Sequence, residues 1–286
     1  MIFSNIKIGI IGHGFVGEAT EKGFPKINEK FIVDPKHGTD INKLKKFKPD
    51  FIFICVPTPM NIDGSQDSSI VFDVFSKLKN NFKGVPKILK STFLPNNLSS
   101  LNSEIDSLVY NPEFLREKHA EEDFINSPFV ILGGDKIICK RVENLYKNYS
   151  ACKTKNYIFV DIETASLIKY SINSYLASKV LFFNGIRDIF DNLKSEIDWD
   201  DFIQILSLDK RIGNSHMSVP GHDGKKGFGG ACFTKDTAAF LKYSDEIGEK
   251  FLFLDSAINI NNSIRSKYDE LDQREKEQNV NYDSDN

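Results

Sequence analysis

The sequence predicts an α/β protein, in which a doubly wound parallel sheet is followed by an all-helical region with one long helix. Short apolar runs alternate with helical segments to about residue 160, which is typical of strands joined by crossover helices. From residue 162 to 193 there is no proline and only one glycine, and apolar residues recur near helical spacing. We therefore expect domains at residues 1–160 and 161–271, then a disordered acidic tail at residues 272–286.

Seven apolar runs are predicted to be strands, and most of the segments between and after them helices. The strands are expected at residues 7–11, 31–33, 51–56, 87–90, 108–110, 129–132 and 157–160. The helices are expected at residues 18–24, 43–48, 136–149, 162–193, 233–247 and 251–271. Asp161 precedes the longest of these and is a suitable N-cap.

The composition excludes several classes of function. The net charge is −3 and the pI is about 6.0, which argues against a nucleic-acid or anionic-membrane partner. The four cysteines show no CxxC spacing, so we interpret them as reduced thiols of a cytoplasmic protein. No signal-peptide pattern and no apolar run long enough to span a bilayer is evident. His216 and His222 lack partners at metal-ligand spacing, so we expect no metal site.

A glycine-rich turn follows the first predicted strand and opens into a helix. The turn residues expected to contact a dinucleotide are Gly12, Gly14, Phe15, Val16 and Gly17. The glycines permit a tight turn and close approach of a pyrophosphate. Asp34 ends the next strand, about twenty residues further on, where an acid can hold the ribose hydroxyls. This context predicts a Rossmann-like dinucleotide site, and the acid favours NAD over NADP.

A second glycine-rich turn precedes the helix expected at residues 233–247. Gly227, Gly229 and Gly230 lead to Cys232, and Asp236 follows four residues later on the same helical face. The free N–H groups and the dipole at a helix start favour a thiolate, which is one route to a nucleophilic cysteine. Most cysteines are only buried core residues, and the turn alone leaves that interpretation open.

The long helix carries both polar and apolar signals. Lys169 and Asn173, four residues apart, project from one face. Apolar residues cover more of its surface than one intrachain contact face requires. They include Leu181, Phe182, Phe183, Ile186, Ile189 and Phe190. We predict a homodimer formed through residues 162–193.

Six stretches, in this order, resemble the UDP-glucose/GDP-mannose dehydrogenase family of nucleotide-sugar 6-dehydrogenases. They are the Gly12-Gly14-Gly17 turn, Cys55-Val56-Pro57-Thr58-Pro59, Ser91-Thr92, Asn111-Pro112-Glu113-Phe114-Leu115-Arg116-Glu117, the helix with Glu163, Lys169 and Asn173, and the turn from Gly227 to Asp236. The last two are highly specific, and the spacing fits from residue 7 to about residue 262. The resemblance implies that NAD is the cofactor and that a sugar C6 alcohol is oxidised to a carboxylate. UDP-glucose is the expected substrate.

The resemblance also implies how the reaction would proceed. Cys232 would add to the aldehyde that the first hydride transfer forms, giving a thiohemiacetal and then a thioester. Lys169 and Asn173 would stabilise the oxyanion that develops at C6. Both side chains come from one helix, which would hold this donor pair rigidly.

Four more residues would handle water and protons by the same resemblance. Asp236 and Thr92 would position or activate the water and the proton acceptor, and Glu117 or Glu113 would serve thioester hydrolysis. The sequence leaves open which carboxylate is the general base.

Binding contacts follow from the same matches. Cofactor contacts are expected at the first glycine turn and at Asp34, Val56, Pro57, Thr58 and Thr92. Substrate contacts are expected at Phe114, Leu115, Arg116, Lys169, Asn173, Arg211, Phe228, Gly229 and Lys235. Arg211 matches a family position that contacts the nucleotide's phosphate.

This sequence departs from the family pattern in three ways. Thr234 replaces a usual proline, and Lys118 replaces a usual glycine. The family normally continues with a second α/β domain that binds the nucleotide base, and we expect that domain to be absent here. The missing half of the cleft would then come from another chain, or the substrate would be bound weakly, or a different substrate would be used.

Two other functions remain open on the sequence. A two-electron hydroxyacid dehydrogenase would share the sheet, the helices and a Lys/Asn helix, although its chemistry needs no thiol and so does not explain Cys232. A non-catalytic NAD-binding protein that needs a partner chain would bind NAD without turnover and would show no activated Cys232.

Overall fold

The structure is a computed structural model that describes residues 6–282. These form two compact units. The first contains residues 6–58 and Asp67–Lys169, and the second contains Pro59–Gln66 and residues 170–282. The division therefore lies inside the long helix, after Lys169, and not at residue 161, and a short earlier segment belongs to the second unit.

The first unit is built on a seven-stranded sheet with the strand order β2-β1-β3-β4-β5-β6-β7. The strands are β1 (Lys7–Ile11), β2 (Glu29–Val33), β3 (Phe51–Ile54), β4 (Lys87–Leu89), β5 (Leu108–Tyr110), β6 (Val130–Gly134) and β7 (Tyr157–Val160). The helices are α1 (Phe15–Gly23), α2 (Ile41–Phe47), α3 (Ser69–Lys79), α4 (Pro95–Glu104), α5 (Ala120–Ile125), α6 (Lys136–Tyr149) and the start of α7 (Ile162–Asn192). All seven predicted strands are thus present.

Alternating side chains bury both faces of the sheet, as a doubly wound fold requires. Ile52 and Ile54 of β3 lie in one apolar cluster with side chains of α3, α4 and the first turn of α7. Phe53, between them, lies in a second cluster with side chains of α6. The two clusters confirm the predicted layers of helix, sheet and helix.

One strand pairing runs against the rest. β5 and β6 are antiparallel, paired through Val109 with Gly134 and Tyr110 with Gly133, whereas every other neighbouring pair is parallel. The predicted parallel sheet is therefore mixed. An apolar run buried on both faces reads the same in either direction, so the sequence carries no signal for this reversal.

The second unit is helical. It contains the rest of α7, followed by α8 (Trp199–Ser207), α9 (Ala231–Glu246), α10 (Leu252–Arg265) and α11 (Gln273–Glu277). Phe183 of α7 is buried with Trp199, Met217 and Val219. Phe182 and Ile189 of α7 remain 62% and 61% exposed in this single chain.

Two expectations near the end of the chain are wrong. The helix predicted to continue to residue 271 ends at Arg265. Residues 272–282, predicted to be disordered, are packed: Asp272 and Glu275 form a capping box at the start of α11, and Val280 and Tyr282 are buried. A buried ion pair between Glu275 and Arg265 explains why so polar a segment is ordered. Residues 283–286 of the predicted tail lie outside the described range.

Candidate active site

The first glycine turn joins β1 to α1 in the shape that a dinucleotide requires. A Cβ at Gly17 would lie 2.1 Å from the carbonyl oxygen of Gly12, so only glycine fits there. Gly12 itself has a φ of 87°. A Cβ at Gly14, by contrast, would meet no atom within 4 Å. The turn therefore leaves open space beside an exposed backbone at the start of a helix, which suits a pyrophosphate.

Asp34 is fixed next to this turn at the end of β2. Its carboxylate accepts the backbone N–H of His13 at 2.7 Å and that of Lys36 at 2.9 Å. Partial burial alone would raise the pKa of Asp34, but these donors and nearby positive charge outweigh it and hold the pKa below its usual value. Asp34 is therefore an ionised acceptor, as the ribose hydroxyls of NAD require. The side chains of Phe15 and Val16, at the start of α1, are half-buried.

The ends of β3 and β4 meet in the first unit. The Ser91 hydroxyl donates to the Val56 carbonyl at 2.6 Å. Thr92 and Thr58 are buried, and Pro57, three residues after the end of β3, is exposed. These residues lie at the edge of the sheet where parallel-strand proteins bind ligands.

Lys169 is held by the turn after β5. Its ammonium donates to the Glu113 carbonyl at 2.6 Å, lies 3.4 Å from the Glu113 carboxylate, and sits 5.1 Å from the ring centroid of Phe114. Lys169 is 3% exposed. The other Glu113 oxygen accepts the N–H of Leu115 at 2.6 Å. The structure thus joins Lys169 and Glu113, which the sequence analysis had placed in separate roles.

The two carboxylates predicted to serve hydrolysis differ sharply. Glu113 is buried against Lys169, whereas Glu117 is exposed at the start of a short 3-10 helix. Arg116, also exposed, forms an ion pair with Asp123 at 2.7 Å. Glu113 therefore lies, buried, next to Lys169, which is a predicted catalytic side chain.

In the second unit, α7 and α9 are joined through predicted catalytic residues. The Asn173 amide donates to the Asp236 carboxylate at 2.7 Å, and the Lys235 ammonium lies 2.6 Å from the other Asp236 oxygen. Asp236 is 1% exposed. Because both of its oxygens are engaged, Asp236 fixes the orientation of the Asn173 amide.

Cys232 is the second residue of α9 and is half-buried. The preceding Gly230 is the N-cap residue, with a φ of 76°. A thiol in the first turn of a helix is close to the positive end of the helix dipole. The helix was expected from the sequence to begin at Phe233, one residue after the cysteine, whereas it begins at Ala231 and includes Cys232 in its first turn.

Side chains from distant helices hold the turn before Cys232, and the sequence analysis missed all of them. Gly227 N–H donates to Asn184 at 3.0 Å, Phe228 N–H to Asn261 at 2.7 Å, and Gly230 N–H to Glu275 at 2.9 Å. Phe228 is buried and Gly229 half-buried. These supports are 33 to 45 residues away in sequence, so no local pattern could have revealed them.

Arg211 stands apart from these contacts. Its side chain is 89% exposed and forms an ion pair with Asp209 at 2.5 Å. The phosphate contact expected for Arg211 stays a prediction.

Residues 6–282 lack two further features. No helix there combines the length and apolarity that crossing a membrane requires. No cluster of three or more His, Cys, Asp or Glu side chains in that range could hold a metal ion.

Known proteins resemble both units of the chain. The model of the UDP-glucose/GDP-mannose dehydrogenase family NAD binding domain matches residues 36–150, and that of the same family's central domain matches residues 163–263. The UDP-glucose 6-dehydrogenase of Rickettsia conorii is 32% identical over 200 residues, covering 66% of this chain and 44% of the relative. An uncharacterized protein of Methanocaldococcus jannaschii is 35% identical over 237 residues, 77% of this chain and 25% of the relative.

Solved structures share the fold. A UDP-glucose dehydrogenase from Pyrobaculum islandicum has a TM-score of 0.74 at 24% identity, and the match covers 92% of this chain and 69% of that enzyme's chain. The 3-hydroxyisobutyrate dehydrogenase of Mycobacterium tuberculosis has a TM-score of 0.71 at 15% identity, and the match covers 94% of this chain and 96% of that enzyme's chain. The chain spans less than half the length of the two relatives above. With its first unit matching the NAD binding domain and its second the central domain, the chain belongs to the UDP-glucose/GDP-mannose dehydrogenase family.

Proposed function

We propose that the chain takes part in NAD-dependent oxidation of the C6 alcohol of a nucleotide sugar to the carboxylate, with UDP-glucose as the substrate. The observation that carries this proposal is the arrangement of α9, which begins at the Cys232 turn and places Asp236 against Asn173. A nucleophilic thiol, an oriented amide and a buried carboxylate are thereby gathered in one unit.

The first unit would bind the cofactor. Gly12, Gly14 and Gly17 would leave room for the pyrophosphate, and Asp34 would accept hydrogen bonds from the ribose. NAD⁺, when bound, supplies the hydride acceptor for each of the two oxidations.

Cys232 would attack the sugar aldehyde as a thiolate, and the product of the second oxidation would be a thioester. Asn173 carries two amide hydrogens. Asp236 accepts one of them, so the amide is oriented to offer the other to the C6 oxyanion. The Lys169 ammonium would stabilise the same developing charge, with Glu113 holding it in place.

Thioester hydrolysis needs a base. The exposed Glu117 is accessible to water, whereas Glu113 is engaged by Lys169 and by Leu115 N–H. This difference favours Glu117 as the base and Glu113 as the residue that positions Lys169. Asp236 and Thr92, both buried, would orient the water.

A two-electron hydroxyacid dehydrogenase remains the second candidate, because the mycobacterial 3-hydroxyisobutyrate dehydrogenase matches over almost its whole length. That likeness concerns the fold alone. The glycine turn that ends in Cys232 favours the four-electron reaction, since a hydride transfer to one NAD⁺ needs no thiol.

The decisive measurement is NADH formation by the purified chain with NAD⁺ and UDP-glucose, beside Cys232→Ala. We expect two NADH per sugar from the wild type and little net product from the variant. One NADH per substrate, unaffected by Cys232→Ala, would instead indicate the two-electron reaction. NAD⁺ binding without turnover on any nucleotide sugar would indicate a binding protein that needs a partner chain.

We also propose that the chain forms a homodimer through α7, because Phe182 and Ile189 on that helix are largely exposed. Light scattering should then give about twice the chain mass of 32.5 kDa at micromolar concentration. A mass of one chain would contradict the proposal.

A further inference from the structure

A short segment after α10 packs onto the turn that leads to Cys232. This segment, residues 272–282, contains α11 and buries Glu275, Gln278, Val280 and Tyr282. It lies beyond the part of the chain that matches the family's central domain, which ends at residue 263. Its contacts with the turn therefore lie outside the part of the chain that the family model describes.

Glu275 is the centre of these contacts. One carboxylate oxygen accepts from the Gly230 N–H at 2.9 Å, the Arg265 guanidinium at 3.0 Å and the Tyr282 hydroxyl at 2.6 Å. The other accepts the N–H of Asp272 at 2.9 Å. Glu275 is 0% exposed, so its hydrogen bonds are made without competition from water.

Arg265 supports the same turn from α10. A Cβ at Gly229 would lie 1.9 Å from its guanidinium, which therefore packs directly against the glycine backbone. The guanidinium also pairs with Asp223 at 2.7 Å. One buried cation thus joins two carboxylates, and the glycine turn is enclosed by side chains fixed in an ion-pair network.

Glu275 is ionised in this setting. Burial alone would raise its pKa, but the donors on both oxygens and the charge of Arg265 hold the pKa below its usual value. An ionised acceptor makes a stronger hydrogen bond to a backbone N–H than a neutral one does. The bond to Gly230 is consequently a firm link between α11 and the start of α9.

We propose that Glu275 is a positioning residue for Cys232. By binding the N–H of the α9 N-cap residue, it fixes the turn and holds the thiol in one place for attack on the sugar aldehyde. The identity of that aldehyde rests on the proposed function, whereas the restraint on the thiol does not. Misplacement of a nucleophile by about 1 Å can cost 100-fold in rate, so a firmly held turn has a direct catalytic benefit.

The test compares Glu275→Gln with the wild type in two assays. The first measures labelling of each cysteine by iodoacetamide across a range of pH, quantified on peptides after digestion. The second measures kcat and the KM values for UDP-glucose and for NAD⁺. Glu143→Gln is the matched control, since Glu143 is another buried carboxylate with two lysine partners, on α6 in the first unit.

We expect Glu275→Gln to change the two assays in opposite directions. Cys232 should be labelled several-fold faster near neutral pH, because the turn is released and a negative charge near the helix start is removed, while kcat falls about tenfold or more. KM for NAD⁺ and the labelling of Cys139 should stay as in the wild type. Glu143→Gln should change neither the labelling of Cys232 nor kcat.

Unchanged labelling of Cys232 in Glu275→Gln would overturn the inference. So would a parallel rise in the labelling of Cys139, which is fully buried in the first unit, because it would show general loosening of the fold. If the wild type turns over no nucleotide sugar, the proposed function fails. The labelling assay then decides the inference by itself, through the rate at which Cys232 is labelled in Glu275→Gln and in the wild type.

Discussion

Each of the two glycine-rich turns of this chain leads into a helix, but the two turns are supported differently. The turn at Gly12–Gly17 packs backbone against backbone. A Cβ at Gly12 would lie 2.6 Å from the Cys55 carbonyl oxygen, and the Gly12 N–H donates to the Val33 carbonyl. The turn at Gly227–Gly230 packs against side chains, those of Asn184, Asn261, Arg265 and Glu275. A turn held by a sheet can remain open to a ligand, whereas a turn held by side chains can be adjusted by single substitutions.

The largest expected effect lies in the first turn. Gly17→Ala would place a methyl group 2.1 Å from the Gly12 carbonyl oxygen, and neither backbone can yield without moving β1 or α1. We expect a loss of about 3 kcal/mol in the free energy of unfolding and loss of NAD⁺ binding. Calorimetric unfolding and NAD⁺ titration measure both quantities.

Gly14→Ala is the matched control, because its methyl group would meet no protein atom within 4 Å. It should leave the unfolding temperature unchanged and weaken only NAD⁺ binding. If Gly14→Ala binds NAD⁺ as the wild type does, the space beside Gly14 is not where the pyrophosphate lies.

A smaller effect is expected at the second turn. Asn261 is 0% exposed and bonds both the N–H and the carbonyl of Phe228. Asn261→Ala would leave these two backbone groups unpaired, at a cost of about 2 kcal/mol. Fluorescence of Trp199, the one tryptophan of the sequence, reports unfolding of this unit.

Asn259→Ala offers a comparison on the same helix, since Asn259 is exposed and its amide donates to the Asp255 carboxylate at 3.2 Å. Its effect should stay within about 0.5 kcal/mol. Equal effects of the two alanine substitutions would mean that Asn261 does not hold the turn.

The smallest effect should depend on pH. Tyr282→Phe removes the hydroxyl that donates to Glu275, a loss of about 1 kcal/mol at neutral pH. Because the folded-state pKa of Glu275 is lowered from 4.5, its stabilising contribution is present above pH 4.5 and is lost as the pH falls through that lower folded-state value. The difference between wild type and variant should therefore shrink below pH 4.5.

Urea unfolding followed by Trp199 fluorescence at several pH values tests this linkage. Tyr243→Phe, at a half-buried position of α9, controls for loss of a tyrosine hydroxyl. A Tyr282→Phe difference that stays constant into acid would show that Glu275 does not depend on this hydroxyl.

Prediction from sequence succeeded where the support of an element is close along the chain. The first turn lies between β1 and β2, and Asp34 follows within the same βαβ unit, so strand, turn, helix and acid are all local signals. Helix α6 was also predicted to its terminal residues, Lys136 and Tyr149. In the structure the Asp135 carboxylate caps its start by accepting the N–H groups of Ile137 and Ile138, which is again a local contact.

It failed where a contact spans a long stretch of chain. The ordering of residues 272–282 depends on Arg265, Gly230 and Thr234, which no local polarity pattern reveals. The link between Lys169 and Glu113 spans 56 residues, and motif matching placed the two side chains in separate roles. Charge and polarity therefore predicted that residues 272–282 are disordered, whereas the buried ion pair between Arg265 and Glu275 holds them in place.

The reversed pairing of β6 bears on where Lys169 lies relative to the turn after β5. Gly133 pairs with Tyr110 on one side and Val160 on the other, so β5 and β7 end at the same level and α7 starts there. Seven residues of helix, about 10 Å at 1.5 Å per residue, then bring Lys169 to the turn after β5. The strand register and the helix length together fix the position of the Lys169 ammonium. One residue inserted between Ile162 and Lys169 would turn the ammonium about 100° around the helix axis, whereas insertions in the loop before β6 would leave its position unchanged.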